Sequence, residues 1–480
     1  MDISLLCVNS NTSIKQALKK IDKSGLSTLF VIDSNNFLLG ILTDGIIRRE
    51  LINNGIELDS SVKDVMEVKF VSLNIQVSNS EILQTLSKNI KIIPLLDDQN
   101  RVLDYATINR IRKISVSSPN LDGKELANVV DCINSNWISS QGKYVKAFEE
   151  QFSQYHDNLN AIAVSNGTVA LHLALVSLGI GKGDEVIVPN LTFAASINAI
   201  LHSGATPSIV DIDLDSWNIN CLEIEKAINS KTKAIMVVHL YGNPAEIRKI
   251  YEIATKYNLL VVEDCAESLG SLYDGKPLGI LSDASTFSFF GNKTITTGEG
   301  GMIIFKNPEI WEKACVFRDH GMSKTRRYWH DVVGYNYRLT NIQAAIGVAQ
   351  FSKLGYFIDR KKSIANIYYQ FLKKSKFFEL QKVSINASSS NWLCSFRILD
   401  NNKFNKEQLM DYLNSKGIES RPLFSPLSLM KPYKAYANSK SLNNSINISK
   451  TGMSLPSSSS LSDLEAKYIC EVIAEFINSL

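Results

Sequence analysis

A lysine at the end of an apolar run is the first residue whose position suggests chemistry. In STFSFFGNKTITTGEGGMIIF, Lys293 follows one strand-like stretch and precedes a glycine-bearing loop, Gly298–Gly301, and a second stretch. An amine at a strand end can form a Schiff base and, once displaced, shuttle a proton. Taken alone, a surface turn is the commoner setting, since 51 residues of the chain are Lys or Arg. A second group is acidic: LLVVEDCAESLG ends an apolar run on Glu263-Asp264. Parallel α/β sheets present ligands at the carboxyl ends of their strands, where Asp264 could hold a protonated ring nitrogen; a helix N-cap is the competing role. In VSNGTVALHLALVSLG the stripe Leu171, Ala174, Leu175, Leu178 marks a helix, so Ser165-Asn166-Gly167-Thr168 lies at its N-terminus. Free N–H groups and the positive end of the helix dipole suit a phosphate there, although plain capping by Ser165 or Asn166 accounts for the residues equally well. Ser288 could add a hydroxyl, and Phe193 in PNLTFAAS offers an aromatic wall or a core ring. An amine, an anion, a phosphate nest and an aromatic face are the four handles that pyridoxal phosphate demands of a protein.

The elements that must position these groups are short apolar runs: Ala161–Val164, Glu185–Val188, Ser208–Asp211, Ala234–His239, Leu259–Glu263, Thr286–Phe290 and Met302–Phe305. Such runs fit strands covered on both faces, and the helical patterns between them predict an α/β fold with a mostly parallel sheet. From about 355 the patterns turn longer and more helical, which predicts a smaller α+β domain over 355–480, ending on a helix at Leu464–Ile477. The polar stretch 439–450 reads as an exposed loop. Ahead of the sheet, Leu126, Val129, Val130 and Ile133 make the stripe of an amphipathic helix.

The first 113 residues carry an internal repeat. STLFVIDSNNFLLGILTDG starts at Ser27 and KIIPLLDDQNRVLDYATIN at Lys91, 64 residues apart. Each is a hydrophobic run, a polar turn and a second run, preceded by a helical pattern: Ile14, Leu18 and Ile21, then Ile82, Leu83 and Leu86. Ser78 and Glu81 fit a capping box. The unit resembles a pair of CBS modules, which implies an adenine nucleotide as ligand or, alternatively, a packing role. The Ser/Thr-x-x-Asp that holds a ribose in such modules reads Thr43-Asp44-Gly45-Ile46 in the first copy and Thr107-Ile108-Asn109-Arg110 in the second, without the final aspartate in either. The segment Ile114–Pro119 opens a Ser/Pro/Asn/Gly linker, which sets the expected boundaries at 1–113, 114–354 and 355–480.

Composition excludes several alternatives. A formal net charge of +3 argues against nucleic acid. Seven scattered cysteines without a CxxC, and six dispersed histidines, argue for free thiols and against a metal. The N-terminus has no signal-peptide pattern, so a cytoplasmic chain is expected. No GxxxxGK[ST] occurs, so the 165–168 segment is not a nucleoside-triphosphate loop.

Taken together, NWISSQGKYVKAFEEQF, SNGTVALHLAL, PNLTFAASINAI, VVHLYGNP, EDCAES, SFFGNKTITTGEGG, GYNYRLTNIQAAIG and GIESRPLF resemble the DegT/DnrJ/EryC1/StrS sugar aminotransferases over residues 114–480. The resemblance implies an aspartate-aminotransferase-like fold (PLP fold type I) and a homodimer with shared active sites. It implies Lys293 as the Schiff-base lysine and Asp264 on the ring nitrogen. Gly167, Thr168 and Ser288 would hold the phosphate, Phe193 would stack on the ring, and Asn336 would reach the phosphate from the neighbouring subunit. Glu267 falls where many members carry Gln or His near the ring hydroxyl, and Ser428 where they carry His. Lysine rather than histidine at 293 implies transamination rather than dehydration. The expected reaction passes an amino group from L-glutamate to C4 of a nucleotide-linked 4-keto-6-deoxy sugar, GDP-linked by the nearest motifs, with Arg326, Arg327, Trp329, His330 and Arg421 as substrate contacts. A UDP-linked sugar, a dehydratase or epimerase reaction, and a non-catalytic regulatory protein remain the alternatives at this stage.

Overall fold

The structure is a computed structural model that describes residues 3–75, 77, 79–87, 90–107, 114–121, 123–399, 403–437 and 441–480. The chain divides into two compact units, Met1–Ile114 with Tyr412–Ile418, and Ser115–Asp411 with Glu419–Leu480.

The first unit is the repeat made visible. Strands β1 (Cys7–Asn9), β2 (Thr28–Ile32) and β3 (Leu38–Thr43) form one sheet, with α1 (Ile14–Ser24) between β1 and β2 and α2 (Asp44–Asn53) after β3. Strands β4 (Leu73–Asn74), β5 (Ile92–Leu96) and β6 (Val102–Thr107) form another, with α3 (Asn79–Thr85) between β4 and β5. In each, the first pair is parallel and the second antiparallel. Thr28 pairs Thr43 and Ile92 pairs Thr107, both ends moved on by the same 64 residues, and the irregularity after Val31 recurs after Leu95. Helix α1 is framed by a Ser13/Gln16 capping box and a left-handed Gly25. The expected Ser78 cap and the Ile108-Asn109-Arg110 segment lie outside the described residues.

The second unit begins with α4 (Lys124–Asn134) and α5 (Lys143–Tyr155). A seven-stranded sheet follows: β7 (Asn160–Val164), β8 (Glu185–Pro189), β9 (Thr206–Val210), β10 (Thr232–Val238), β11 (Leu260–Asp264), β14 (Ala284–Ser288) and β15 (Gly301–Phe305). These are the seven expected apolar runs, with ends moved by one or two residues. Helices α6 (Gly167–Ser177), α7 (Ala194–His202), α8 (Cys221–Ala227) and α9 (Ile247–Tyr257) connect them. The spatial order is β7-β15-β14-β11-β10-β8-β9, and only β15 runs against the rest. The carboxyl ends of β7, β14, β11, β10 and β8 therefore share one edge. A small antiparallel patch joins β12 (Leu272–Tyr273), β13 (Lys276–Pro277) and β17 (Ala387–Ser388).

Helices α10 (Pro308–Arg318), α11 (Asn341–Phe351) and α12 (Leu354–Leu372) lead to a four-stranded antiparallel sheet. It joins β16 (Phe378–Leu380), β18 (Cys394–Ile398), β20 (Gly452–Leu455) and β19 (Arg421–Pro422) in that order, accompanied by α13 (Lys406–Ser415), α14 (Asn443–Thr451) and α15 (Asp463–Asn478). Helix α14 corrects the expected loop at 439–450. Its polar sequence is held in place because the Asp211 carboxylate accepts the Asn444 and Ser445 N–H groups at its start. Helix α4 is the expected amphipathic helix, and it turns Glu125 and Cys132 inward while Leu126, Val130 and Ile133 are exposed. All seven cysteines are free thiols.

Candidate active site

Strand β11 ends the sequence LVVED, and its alternation sends the two carboxylates to opposite faces of the sheet. Glu263 turns to one side. It accepts His239 Nε2–H at 2.8 Å, Ser282 Oγ–H at 2.5 Å and the Gly279 N–H at 3.2 Å. The Ala245 N–H donates to His239 Nδ1, which fixes the imidazole proton on Nε2. Burial opposes the charge on Glu263, but these donors win and hold its carboxyl below the usual range. His239, Glu263 and Cys265 lie close enough to suggest a metal site, yet the carboxylate is already engaged by donors from three directions, so the cluster reads as a hydrogen-bond network.

Asp264 turns to the other side. It accepts Ser196 Oγ–H at 2.8 Å and the Ala266 N–H at 3.2 Å. Burial pushes its carboxyl up, while Ser196, Ala266 and the charge of Lys293 pull it back. Asp264 is electrostatically coupled to Lys293, which the turn after β14 presents: its N–H donates to the Phe290 carbonyl, and the strand resumes through Phe289 N–H to Gly300. The Lys293 amine lies 3.9 Å from Glu267 Oε1 and 3.9 Å from the centre of the Trp392 ring. Burial pushes that amine below the ordinary lysine range, with Glu267 and Asp264 opposing. Glu267, whose other oxygen takes the Tyr241 N–H at 2.7 Å, is pushed up to about 7, chiefly by burial. An amine whose proton affinity burial lowers, beside two carboxyls whose affinity burial raises, is a setting suited to proton traffic.

Two strand ends away is the phosphate candidate. Asn166 caps α6 by accepting the Val169 N–H, which leaves the Gly167 and Thr168 N–H groups without an acceptor among the described residues. A Cβ on Gly167 would lie 2.8 Å from Ser288 Cβ, so only glycine lets this helix start approach the end of β14. Gly301 has the matching role: a Cβ there would meet the Asn166 carbonyl oxygen at 2.6 Å. This accounts for the last glycine of TTGEGG. Phe193 is the N-cap of α7, 60% exposed, with its ring 5.8 Å from that of Phe424. Ser196 sits three residues on, so one helix start delivers both an aromatic face and the hydroxyl that holds Asp264.

The remaining expected residues make no hydrogen bond or ion pair with Lys293, Asp264 or Glu267 among the described residues, although the carbonyl of Tyr337, next to Asn336, accepts the Ser165 N–H at 2.8 Å beside the phosphate candidate. Asn336 pairs with Asp319 and accepts from Arg338. Arg326 stacks on Trp329 at 4.1 Å and His330 Nδ1 lies 2.9 Å from the His320 carbonyl oxygen. Arg327 covers Tyr328. Arg421 lies 3.5 Å from Glu419. Ser196, Tyr241 and Trp392 were not among the expected site residues. Ser196 carried a legible signal, one helical turn beyond Phe193, whereas nothing local ties Trp392 to a lysine 99 residues earlier.

Residues 119–474 match the model of the DegT/DnrJ/EryC1/StrS aminotransferase family. The chain belongs to that family. It is an aminotransferase that uses pyridoxal phosphate. Residues 1–53 match the CBS domain. A relative from Escherichia coli O157:H7 named GDP-perosamine synthase is 46% identical over 366 residues, 76% of this chain and 99% of its own. Among solved structures, the Helicobacter pylori aminotransferase PseC, involved in the biosynthesis of pseudoaminic acid, aligns with a TM-score of 0.72 and 29% identity over 77% of this chain and all of its own. The PLP-form of the putative sugar aminotransferase Spr1654 from Streptococcus pneumoniae aligns with a TM-score of 0.72 and 28% identity, covering 76% and 99%. No helix among the described residues is long and apolar enough to cross a membrane. The pocket fits the cofactor: a buried amine faces buried carboxyls, and a glycine-lined helix start has donors to spare.

Proposed function

We propose that this aminotransferase moves an amino group from L-glutamate to C4 of GDP-4-keto-6-deoxymannose, giving GDP-perosamine for a surface polysaccharide such as O-antigen. The observation that carries the chemistry is the buried Lys293 amine 3.9 Å from Glu267 and electrostatically coupled to Asp264. The choice of sugar rests on the near full-length similarity to the E. coli enzyme.

When bound, pyridoxal phosphate supplies an electron sink that makes the donor's α-carbon acidic. Lys293 anchors the cofactor, and its Nζ, once freed, takes the proton from the donor's α-carbon and later delivers one to C4 of the sugar. Asp264 keeps the ring nitrogen protonated, with Ser196 Oγ–H fixing the carboxylate from behind. Gly167, Thr168 and Ser288 hold the phosphate, and Phe193 covers the ring. Arg327, Trp329, His330 and Arg421 are the candidates for the sugar nucleotide: guanidinium groups for pyrophosphate, rings for base or sugar.

These last residues and Asn336 make no hydrogen bond or ion pair with Lys293 among the described residues, and in the homodimer we propose each subunit uses them to complete the other's site. The exposed Leu126, Val130 and Ile133 of α4, with Trp137 beside them, supply an apolar face for it. An adenine nucleotide at the CBS unit is the lesser part of the proposal. The Thr43 hydroxyl caps α2 through the Ile46 N–H, and Ile46 offers no carboxylate to a ribose, so affinity there should rest on the phosphates. Thermal shift with ATP and AMP tests it, and no shift with either removes the sensing role.

The decisive experiment incubates the protein with glutamate and either GDP- or UDP-linked 4-keto-6-deoxy sugars, reading products by mass spectrometry. Amination of the GDP-sugar is expected. Amination of the UDP-sugar alone would overturn the sugar assignment and keep the chemistry. No glutamate consumed with any sugar would overturn both.

A further inference from the structure

Trp392 is nearly inaccessible, 3% exposed, yet the cluster around it is more elaborate than packing needs. Its ring lies parallel to that of Tyr241, 6.3 Å away with 9° between planes. Its Nε1–H donates to the Asn292 carbonyl at 2.8 Å, the residue next to Lys293. Its own carbonyl accepts from Lys361 Nζ at 3.1 Å, and that buried lysine also donates to the Ser457 carbonyl at 2.7 Å. Gly242, at φ +95°, lets the 240–242 turn press against this segment, for a Cβ there would meet the Trp392 N at 2.9 Å. Trp392 is thus held at its ring nitrogen and at its backbone carbonyl, with the Tyr241 ring parallel to its own. The Lys293 amine lies over the Trp392 ring, 3.9 Å from the centroid.

We propose that Trp392 is a positioning residue for the catalytic lysine: its clamped ring face, together with the Glu267 carboxylate, receives the Lys293 ammonium whenever the amine leaves the cofactor. This rests on Lys293 being the lysine that carries the cofactor. The argument is electrostatic. Lys293 must be neutral to attack a carbonyl and charged after it has taken a proton, and both states occur in a site where the side chain is only 14% exposed to water. A carboxylate alone would tend to take the proton for itself. A ring attracts the cation through its negative face and has no site to accept its proton. Burial pushes the amine's proton affinity down and the two carboxylates oppose it; the ring adds a stabilisation of the charged form that survives when Glu267 is protonated.

The test reads the amine itself. The cofactor-free protein is trace-labelled with acetic anhydride across pH, and modification at Lys293 is followed by peptide mass spectrometry. Trp392→Leu keeps the site apolar and removes the ring, so the neutral fraction of Lys293 below its midpoint should rise roughly tenfold, with Trp392→Phe roughly threefold. Uniform incorporation of mono-, di- and trifluorotryptophan weakens the ring's negative face without changing its shape, and should move the Lys293 midpoint down in step. That series decides the question where Trp392→Leu does not fold. A Lys293 midpoint that stays put along the fluorinated series, or in a folded Trp392→Leu, overturns the proposal. Covalent cofactor attachment that persists in Lys293→Ala would instead overturn the reading on which it rests.

Discussion

Gly167→Ala adds a single methyl group at the point where α6 meets β14. The new Cβ would stand 2.8 Å from Ser288 Cβ, 3.1 Å from its Oγ and 3.4 Å from its Cα. Because Ser288 Cβ is fixed to its backbone, no rotamer change relieves the contact. The helix start or the strand end must give way by about 0.6 Å to reach the 3.4 Å of ordinary contact. Overpacking of this kind costs about 1–3 kcal/mol, while the better helix propensity of alanine returns at most ~1 kcal/mol, so the clash wins. The same displacement carries the Gly167 and Thr168 N–H groups off their aim. Losing one charge-assisted hydrogen bond to phosphate, about 1.5–3 kcal/mol, weakens cofactor binding roughly ten- to a hundredfold. Thermal unfolding of the cofactor-free protein reads the first effect, and titration with pyridoxal phosphate followed by absorbance reads the second. Adding Ser288→Gly, which deletes the offending Cβ, should restore much of the lost stability; adding Ser288→Ala, which keeps it, should not. A Gly167→Ala protein that matches the parent in both melting and cofactor affinity would refute the cradle.

Lys293→Ala should lose both the visible absorbance of covalently held cofactor and turnover; near-parental transamination by that variant would remove the lysine's assignment. Asp264→Asn should retain some cofactor but lose most activity, because the ring nitrogen loses its anion, and normal activity would dismiss the role. Ser196→Ala deletes one donor to the same carboxylate and should cut kcat about tenfold, the worth of roughly 1.5 kcal/mol, with KM for the sugar nearly unchanged; a change in KM alone would place Ser196 elsewhere. Glu267 has its proton affinity raised by folding, to about 7, so its favourable contribution is complete below the unfolded value near 4.5 and is lost as pH climbs through 7. Denaturant titrations of the cofactor-free protein should therefore show Glu267→Gln gaining on the parent between pH 5 and pH 8, by on the order of 2–3 kcal/mol; a pH-independent difference would mean that burial is not what raises Glu267.

The sheet was legible because its strands are covered on both faces: runs such as AIMVV and GMIIF have no polar side to confuse with a helix. Lys293, Asp264, Gly167 and Ser288 were legible because each sits at a strand end or helix start, where position follows from local sequence. Helix α14 was not legible, since NNSINISKT has little apolar face and owes its start to Asp211, more than 200 residues away. The stripe Leu126, Val130, Ile133 showed that α4 is amphipathic but not which way it points; the structure turns Cys132 and Glu125 inward and the stripe outward. Trp392 illustrates the same limit from the site's side. An isolated tryptophan in a polar stretch has no periodicity, and only the folded chain brings it under Lys293.

The adjacent pair Glu263-Asp264 shows why one strand end needs two acids. Sequence alone makes them equivalent, both ending an apolar run. The pleat separates them, and each face then sets its own chemistry. Glu263 has donors from His239, Ser282 and Gly279, and its carboxyl is held below the usual range although burial opposes it. A carboxylate so satisfied fixes the turn at 279–282 to β11 and has little capacity left for a ligand. Asp264 receives one hydroxyl and one backbone N–H, and burial pushes it up. Such a group is underserved until a positive charge arrives opposite it, and in the function proposed above a protonated pyridine nitrogen would supply that charge. Exchanging the two acids, Glu263→Asp together with Asp264→Glu, keeps net charge, length and strand pattern. It gives the His239 network a side chain one methylene too short and the ring nitrogen one too long. That double variant should lose both stability and turnover, whereas a site that needed only two acids nearby would tolerate it.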